Sequence, residues 1–171
     1  ETASWKWTAV SLVMLMAIVG APLGGYLTDR WQARRTTARL LFPSLSSLAT
    51  AVLLFMAFTF FRGPLQYAVL LLAGVCAIAF VPASVAVTQD VVHPGLRAVS
   101  LSLCVMVQHL FGSALGPPFI GALSDRYGLE SAMQVLPLFA LLAGGLYVLG
   151  SFFYGRDEAA VEEVDIVMEE A

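Results

Sequence analysis

Gln108 and His109 stand side by side in the middle of an apolar stretch. Polar groups at such a depth cost free energy unless they face a cavity or a partner. Consecutive helix residues point about 100° apart, so both side chains can border one wet groove. A histidine there can bind substrate or carry a proton, because it titrates near neutrality. The plainer alternative is a helix–helix hydrogen bond of order 1 kcal/mol. A second group is Asp29, with Arg30, Arg34 and Arg35 just beyond it. The carboxylate can accept hydrogen bonds at a neighbouring helix N-terminus, where the dipole favours an anion. The arginines can pair with acids or anionic lipid headgroups, or serve only as a positive anchor at the membrane edge.

No other chemistry-bearing constellation is present. The chain has no phosphate-binding glycine loop, zinc pattern or Ser-His-Asp arrangement. Cys76 and Cys104 lack ligand spacing and read as small buried hydrophobes. An enzyme, a metal site, a cofactor and a nucleic-acid partner are therefore not expected.

Apolar residues make up 59% of the 171 and charged residues only 12%. Soluble domains carry about 25% charged residues. The only charge between Leu40 and Gln89 is Arg62, which leaves apolar runs long enough for a bilayer. Five runs are expected as helices, over residues 7–28, 38–61, 65–89, 98–123 and 132–154. Each has roughly 20 residues or more, enough for about 30 Å of hydrocarbon at 1.5 Å per residue. In lipid the backbone must satisfy its own polar groups, so the expected fold is an all-α, polytopic membrane helix bundle. The second and fifth runs are nearly all apolar, which suits peripheral, lipid-facing helices.

The connections hold the breakers and charges, among them Arg62-Gly63-Pro64 and His93-Pro94-Gly95. Asp90 and Arg97 flank one loop and can pair with each other. Residues 155–171 hold seven acids against the single base Arg156 and read as a solvated, disordered tail, or, through Val161, Val164, Ile166, Val167 and Met168, as a weak helix. Arg30, Arg34, Arg35, Arg39, Arg97 and Arg156 fall on one side of the membrane; Lys6, Arg62 and Arg126 fall on the other. That asymmetry places the first loop and the C-terminus in the cytoplasm of a plasma or inner membrane.

The first and fourth runs end alike. Gly20-Ala21-Pro22-Leu23-Gly24-Gly25-Tyr26-Leu27-Thr28-Asp29-Arg30 aligns without a gap on Gly116-Pro117-Pro118-Phe119-Ile120-Gly121-Ala122-Leu123-Ser124-Asp125-Arg126. Seven of the eleven positions agree, counting Thr for Ser. Three runs separate the copies, so they lie at opposite faces of the membrane. Units related in this way are the inverted repeats of secondary transporters, here with a three-helix unit. One helix of the first unit is absent, and the chain opens on Glu1, so it reads as the middle of a longer protein. Gly20 and Gly24, like Gly112 and Gly116, have the spacing that permits close helix approach. Pro117 and Pro118 should bend the helix that follows.

At these residues the chain resembles the major facilitator superfamily. That family's loop signature, G-x-x-x-D-[RK]-x-G-[RK]-[RK], is met by Gly25, Asp29, Arg30, Arg34 and Arg35, with Gln32-Ala33 where a glycine is expected. Arg97, His109-Leu110, Gly112, Pro118, Gly121, Ser124 and Asp125 resemble its Spinster-like branch, with Ser113 where members often have Asp. The resemblance implies five helices of a C-terminal half and a loop that clamps one side of a transporter. It implies a substrate cavity to which Gln108, His109 and Ser113 contribute, and a small-molecule substrate. That substrate would be amphipathic or lipid-like, or a small organic anion. The missing N-terminal half and the lipid bilayer are then the expected partners. The alternative is a membrane protein or half-transporter subunit that binds a partner or lipid without transporting.

Overall fold

The computed structural model describes the backbone of residues 4–34 and 38–169, and the side chains of residues 16, 18–34, 38–157 and 159–161. The helices are α1 (Ser4–Gln32), α2 (Ala38–Thr59), α3 (Pro64–Ala79), α4 (Val81–Asp90), α5 (Arg97–Gln108), α6 (Gly116–Tyr127), α7 (Leu129–Met133) and α8 (Leu136–Glu169). Among the described residues, Ala38–Thr59, Pro64–Asp90, Pro94–Tyr127 and Leu129–Val161 are each long and apolar enough to cross a membrane. The 29 residues of α1 add a fifth long helix. The chain is thus a multi-pass membrane helix bundle.

Two apolar runs are subdivided. Pro82, which has no amide hydrogen, stands at the start of α4 and separates it from α3 at Phe80. In the fourth run, His109–Ala114 is a π-helical stretch between α5 and α6. Pro117 and Pro118 leave the carbonyls of Ser113 and Ala114 without their partners four residues on, so the regular α pattern fails just before them. Between α2 and α3 the chain turns at Gly63, with φ +71°, where a side chain would be strained. Pro64 then supplies the first turn of α3.

The register follows from the contacts. Gly20 lies against Val75 and Gly24 against Ala79, so α1 and α3 run parallel. A Cβ at Gly24 would stand 2.0 Å from the Ala79 carbonyl oxygen, so only glycine fits this seam. α8 runs antiparallel to α2, with Gly144 at Ser44 and Gly150 at Leu40. It runs parallel to α4, with Tyr147 at Ser84 and Tyr154 at Asp90. One end of the bundle therefore gathers the end of α1, Arg39, Asp90 and Tyr154. The opposite end carries Arg62 and Glu130, 3.8 Å apart and well exposed. The two copies of the repeated motif finish at these opposite ends, as an inverted repeat requires.

The expectation of a peripheral α2 holds for one face only. Leu45, Val52 and Phe55 are exposed, but the other face buries Ser44, Ser46, Ser47 and Thr50. Small hydroxyl residues allow the close packing that associates helices in lipid, where apolar burial between helices gains little. Ser44 Oγ donates to the Gly144 carbonyl at 3.0 Å, and Ser46 Oγ to the Cys76 carbonyl. The acidic segment is helical as well. α8 runs on through it to Glu169, consistent with the helix preference of Ala159, Ala160 and the glutamates.

Candidate substrate cavity

A cavity of about 400 Å³ lies between α4, α5 and α8. Its polar lining is Ser84 and Thr88 from α4, Gln108 from α5 and Tyr147 from α8; valines, Leu101 and Phe80 form much of the remainder. Apolar walls with a few placed polar groups, at this volume, are the usual make-up of a small-molecule site. Leu101, Cys104, Val105 and Gln108 reach it from one stripe of α5, at helical spacing.

The hydrogen bonds fix what the wall offers. Ser84 Oγ donates to the Phe80 carbonyl at 3.0 Å and lies 2.6 Å from the Tyr147 hydroxyl. With the serine proton committed to the carbonyl, Tyr147 is the donor to Ser84. Its own oxygen keeps accepting capacity. Thr88 Oγ1 likewise donates to the Val85 carbonyl at 2.7 Å. Ser84, Thr88 and Tyr147 thus present mainly acceptors. The Gln108 amide makes no hydrogen bond to another described residue and keeps both donors and its acceptor. No Lys, Arg or His lines the cavity.

His109 and Ser113 do not line it. They open and close one turn of the π-helical stretch, with His109 Nδ1 3.3 Å from Ser113 Oγ, and both are exposed. The wider turn and the 100° step from Gln108 carry His109 away from the α5 stripe. Of Gln108, His109 and Ser113, Gln108 is the one that lines this cavity. Cys104, expected as a buried hydrophobe, is exposed and lines the cavity. Sequence reading missed Tyr147. Tyr147 and Tyr154 stand seven residues apart in a largely apolar run, which places them on one helix face.

The loop motif is only partly assembled. A Cβ built at Gly25 would lie 3.7 Å from Pro82, and the exposed Asp29 carboxylate has no hydrogen bond or ion pair among the described residues. Arg30 donates to the Tyr26 hydroxyl at 3.2 Å. Arg34 is exposed, and Arg35 lies outside the described residues. A Cβ built at Gly112 or Gly116 meets no described neighbour within 4 Å, unlike one at Gly20 or Gly24. Pro117 and Pro118 open α6.

The ion pair expected between Asp90 and Arg97 is replaced by a longer-range one. Asp90 takes Arg39 of α2 and the Tyr154 hydroxyl of α8 on the same carboxylate oxygen. Arg97 instead donates to the Gln89 carbonyl at 3.1 Å. Helix start, helix end and mid-α8 are thereby tied together at one end of the bundle. The cluster sits one to two turns of α4 from the cavity, since Ser84 and Asp90 are on the same helix.

Two comparisons with known proteins bear on this arrangement. The family model of the Major Facilitator Superfamily matches residues 1–166. A probable sphingolipid transporter, spinster homolog 3 of Arabidopsis thaliana, is 25% identical over 162 residues, covering 91% of this chain and 31% of that protein. The chain thus spans about a third of the length of this curated relative. It belongs to the Major Facilitator Superfamily.

Proposed function

We propose that this chain, as a Major Facilitator Superfamily member, supplies five helices of the C-terminal half of a secondary transporter that works by alternating access. The observation that carries the reading is the cavity between α4, α5 and α8. It combines apolar walls with the acceptors of Ser84, Thr88 and Tyr147 and the free amide of Gln108. Such a lining suits an amphipathic molecule with hydroxyl or amine donors on an apolar body. A sphingoid base has this chemistry, in keeping with the name of the relative. A small organic anion is disfavoured in this half, because the lining holds no cation. In inverted-repeat transporters the site lies between the halves, so an N-terminal half would complete the cavity.

The π-helical stretch and Pro117-Pro118 interrupt the regular α-helix of the fourth run, beside the cavity wall that α5 provides. Rocking of α6 against α5 there would open or close one access route. The Arg39–Asp90–Tyr154 cluster holds the other end of the wall fixed. The excess of arginine at the first-loop end supports a cytoplasmic first loop and C-terminus.

Cys104 permits a direct test. In the full-length protein carrying Cys104 as its single cysteine, maleimide labelling is followed with and without sphingosine or gluconate. Protection by sphingosine and not by gluconate is expected. Labelling unaffected by either ligand would contradict the assignment of this cavity.

A further inference from the structure

A second pocket stands apart from the cavity, at the first-loop end. Leu27, Arg30 and Trp31 occupy positions i, i+3 and i+4 of α1 and so form one stripe, and Arg34 joins them from the turn after Gln32. Phe42 and Leu45 of α2 face these residues across an open surface groove of about 420 Å³. Its floor is apolar, and its two guanidiniums belong to residues exposed at the end of the bundle.

Arg30 spends one N–H on the Tyr26 hydroxyl, and neither arginine has a carboxylate within ion-pair distance among the described residues. Asp29, nearest in sequence, is not in the lining. A guanidinium has five donors in a fork that matches a phosphate, so most of the donor capacity of this pair is unspent. Tryptophan at a helix end is typical of the headgroup level of a bilayer. An apolar groove topped by two arginines that have no carboxylate partner among the described residues, and by an interfacial indole, is complementary to one kind of membrane component.

We propose that the α1–α2 groove is a binding site for a single anionic phospholipid. The phosphate sits between Arg30 and Arg34, the headgroup lies against Trp31, and one acyl chain follows Leu27, Phe42 and Leu45. This is a defined site, distinct from a diffuse attraction of basic residues to the leaflet. It requires the slot as well as the charges. It does not depend on the transport reading, because a protein that transports nothing would still present it.

The test uses the full-length protein in detergent and native mass spectrometry with added phosphatidylglycerol or phosphatidylcholine. Retention of one phosphatidylglycerol, at least fivefold over phosphatidylcholine, is expected, with no competition from inorganic phosphate. Arg30→Gln combined with Arg34→Gln should abolish the preference. Leu45→Trp, which fills the slot and leaves both arginines, should abolish it too. Arg62→Gln at the opposite end should not. A photoactivatable phosphatidylglycerol should label the wild-type peptide spanning residues 27–45. Equal retention of the two lipids, displacement by inorganic phosphate, labelling only elsewhere, or an unchanged preference in Leu45→Trp would each overturn the proposal.

Discussion

Tyr154, only 2% exposed, donates its hydroxyl hydrogen bond to Asp90 Oδ2 at 2.8 Å, on the oxygen that also takes Arg39. The two residues are 64 positions apart and come from α8 and α4. One carboxylate thereby joins three helices at one end of the bundle. Side chains of Arg39 and Asp90 keep 26% and 19% of their accessibility, so the pair is only partly withdrawn from solvent.

Asp90→Asn leaves the Arg39 charge without its counterion. Loss of a fully buried partner costs about 3–5 kcal/mol. Partial exposure reduces that here to about 1–3 kcal/mol. The unfolding temperature of the detergent-solubilised full-length protein should fall accordingly. Adding Arg39→Gln to Asp90→Asn should recover part of the loss. A double variant as unstable as the sum of the single ones would mean that the two side chains are not coupled.

Tyr154→Phe removes one buried hydrogen bond and should cost about 1 kcal/mol. Tyr147→Phe frees Ser84 in the same way, but it also alters the cavity wall. Only Tyr147→Phe should weaken sphingosine protection of Cys104. Equal weakening by both variants would place Tyr154 in the ligand site and contradict the geometry.

The α1–α3 seam makes a graded steric prediction. Gly24→Ala puts a methyl group 2.0 Å from a backbone oxygen, where nothing flexible can yield. Gly20→Ala meets the Val75 oxygen at 2.9 Å. Overpacking of this kind costs about 1–3 kcal/mol, and Gly24 should lie at the upper end. Gly112→Ala, where an added Cβ meets no described neighbour within 4 Å, should be far milder. Size-exclusion profiles and unfolding temperatures of the three full-length variants check the order.

Gln108 and His109 should separate in ligand binding although they are neighbours. Gln108→Ala removes the free amide from the cavity and should weaken sphingosine about tenfold, the value of one hydrogen bond of about 1.4 kcal/mol. His109→Ala should leave affinity within twofold, because His109 does not line the cavity and lies against Ser113. Its effect belongs in turnover, through the π-helical turn. A larger affinity loss at His109 would restore the shared groove expected from adjacency alone.

Hydropathy made the bundle legible, because in lipid a long apolar run has almost no alternative to a helix. The repeat ending at Asp29-Arg30 and Asp125-Arg126 made the inverted topology legible as well. The breaks inside the runs were harder to place. Pro117 and Pro118 announced a bend, but the π-helical stretch lies upstream of them, at the carbonyls they leave unpaired. The partner of Asp90 was not readable from Arg97, since nearness in sequence says little once α2 folds back on α4. Ser44, Ser46 and Thr50 looked incidental in an apolar helix. They are the face by which α2 packs. Tyr147 was visible as a spacing with Tyr154, but only the position of Ser84 gives it a role in the cavity.

Counterflow of sphingosine in proteoliposomes holding the full-length protein tests the central claim most directly. Saturable, protein-dependent exchange is expected, reduced severalfold in both Gln108→Ala and Tyr147→Phe and unchanged by excess gluconate. The absence of saturable exchange from monodisperse, correctly inserted protein, or exchange indifferent to both substitutions, would contradict it.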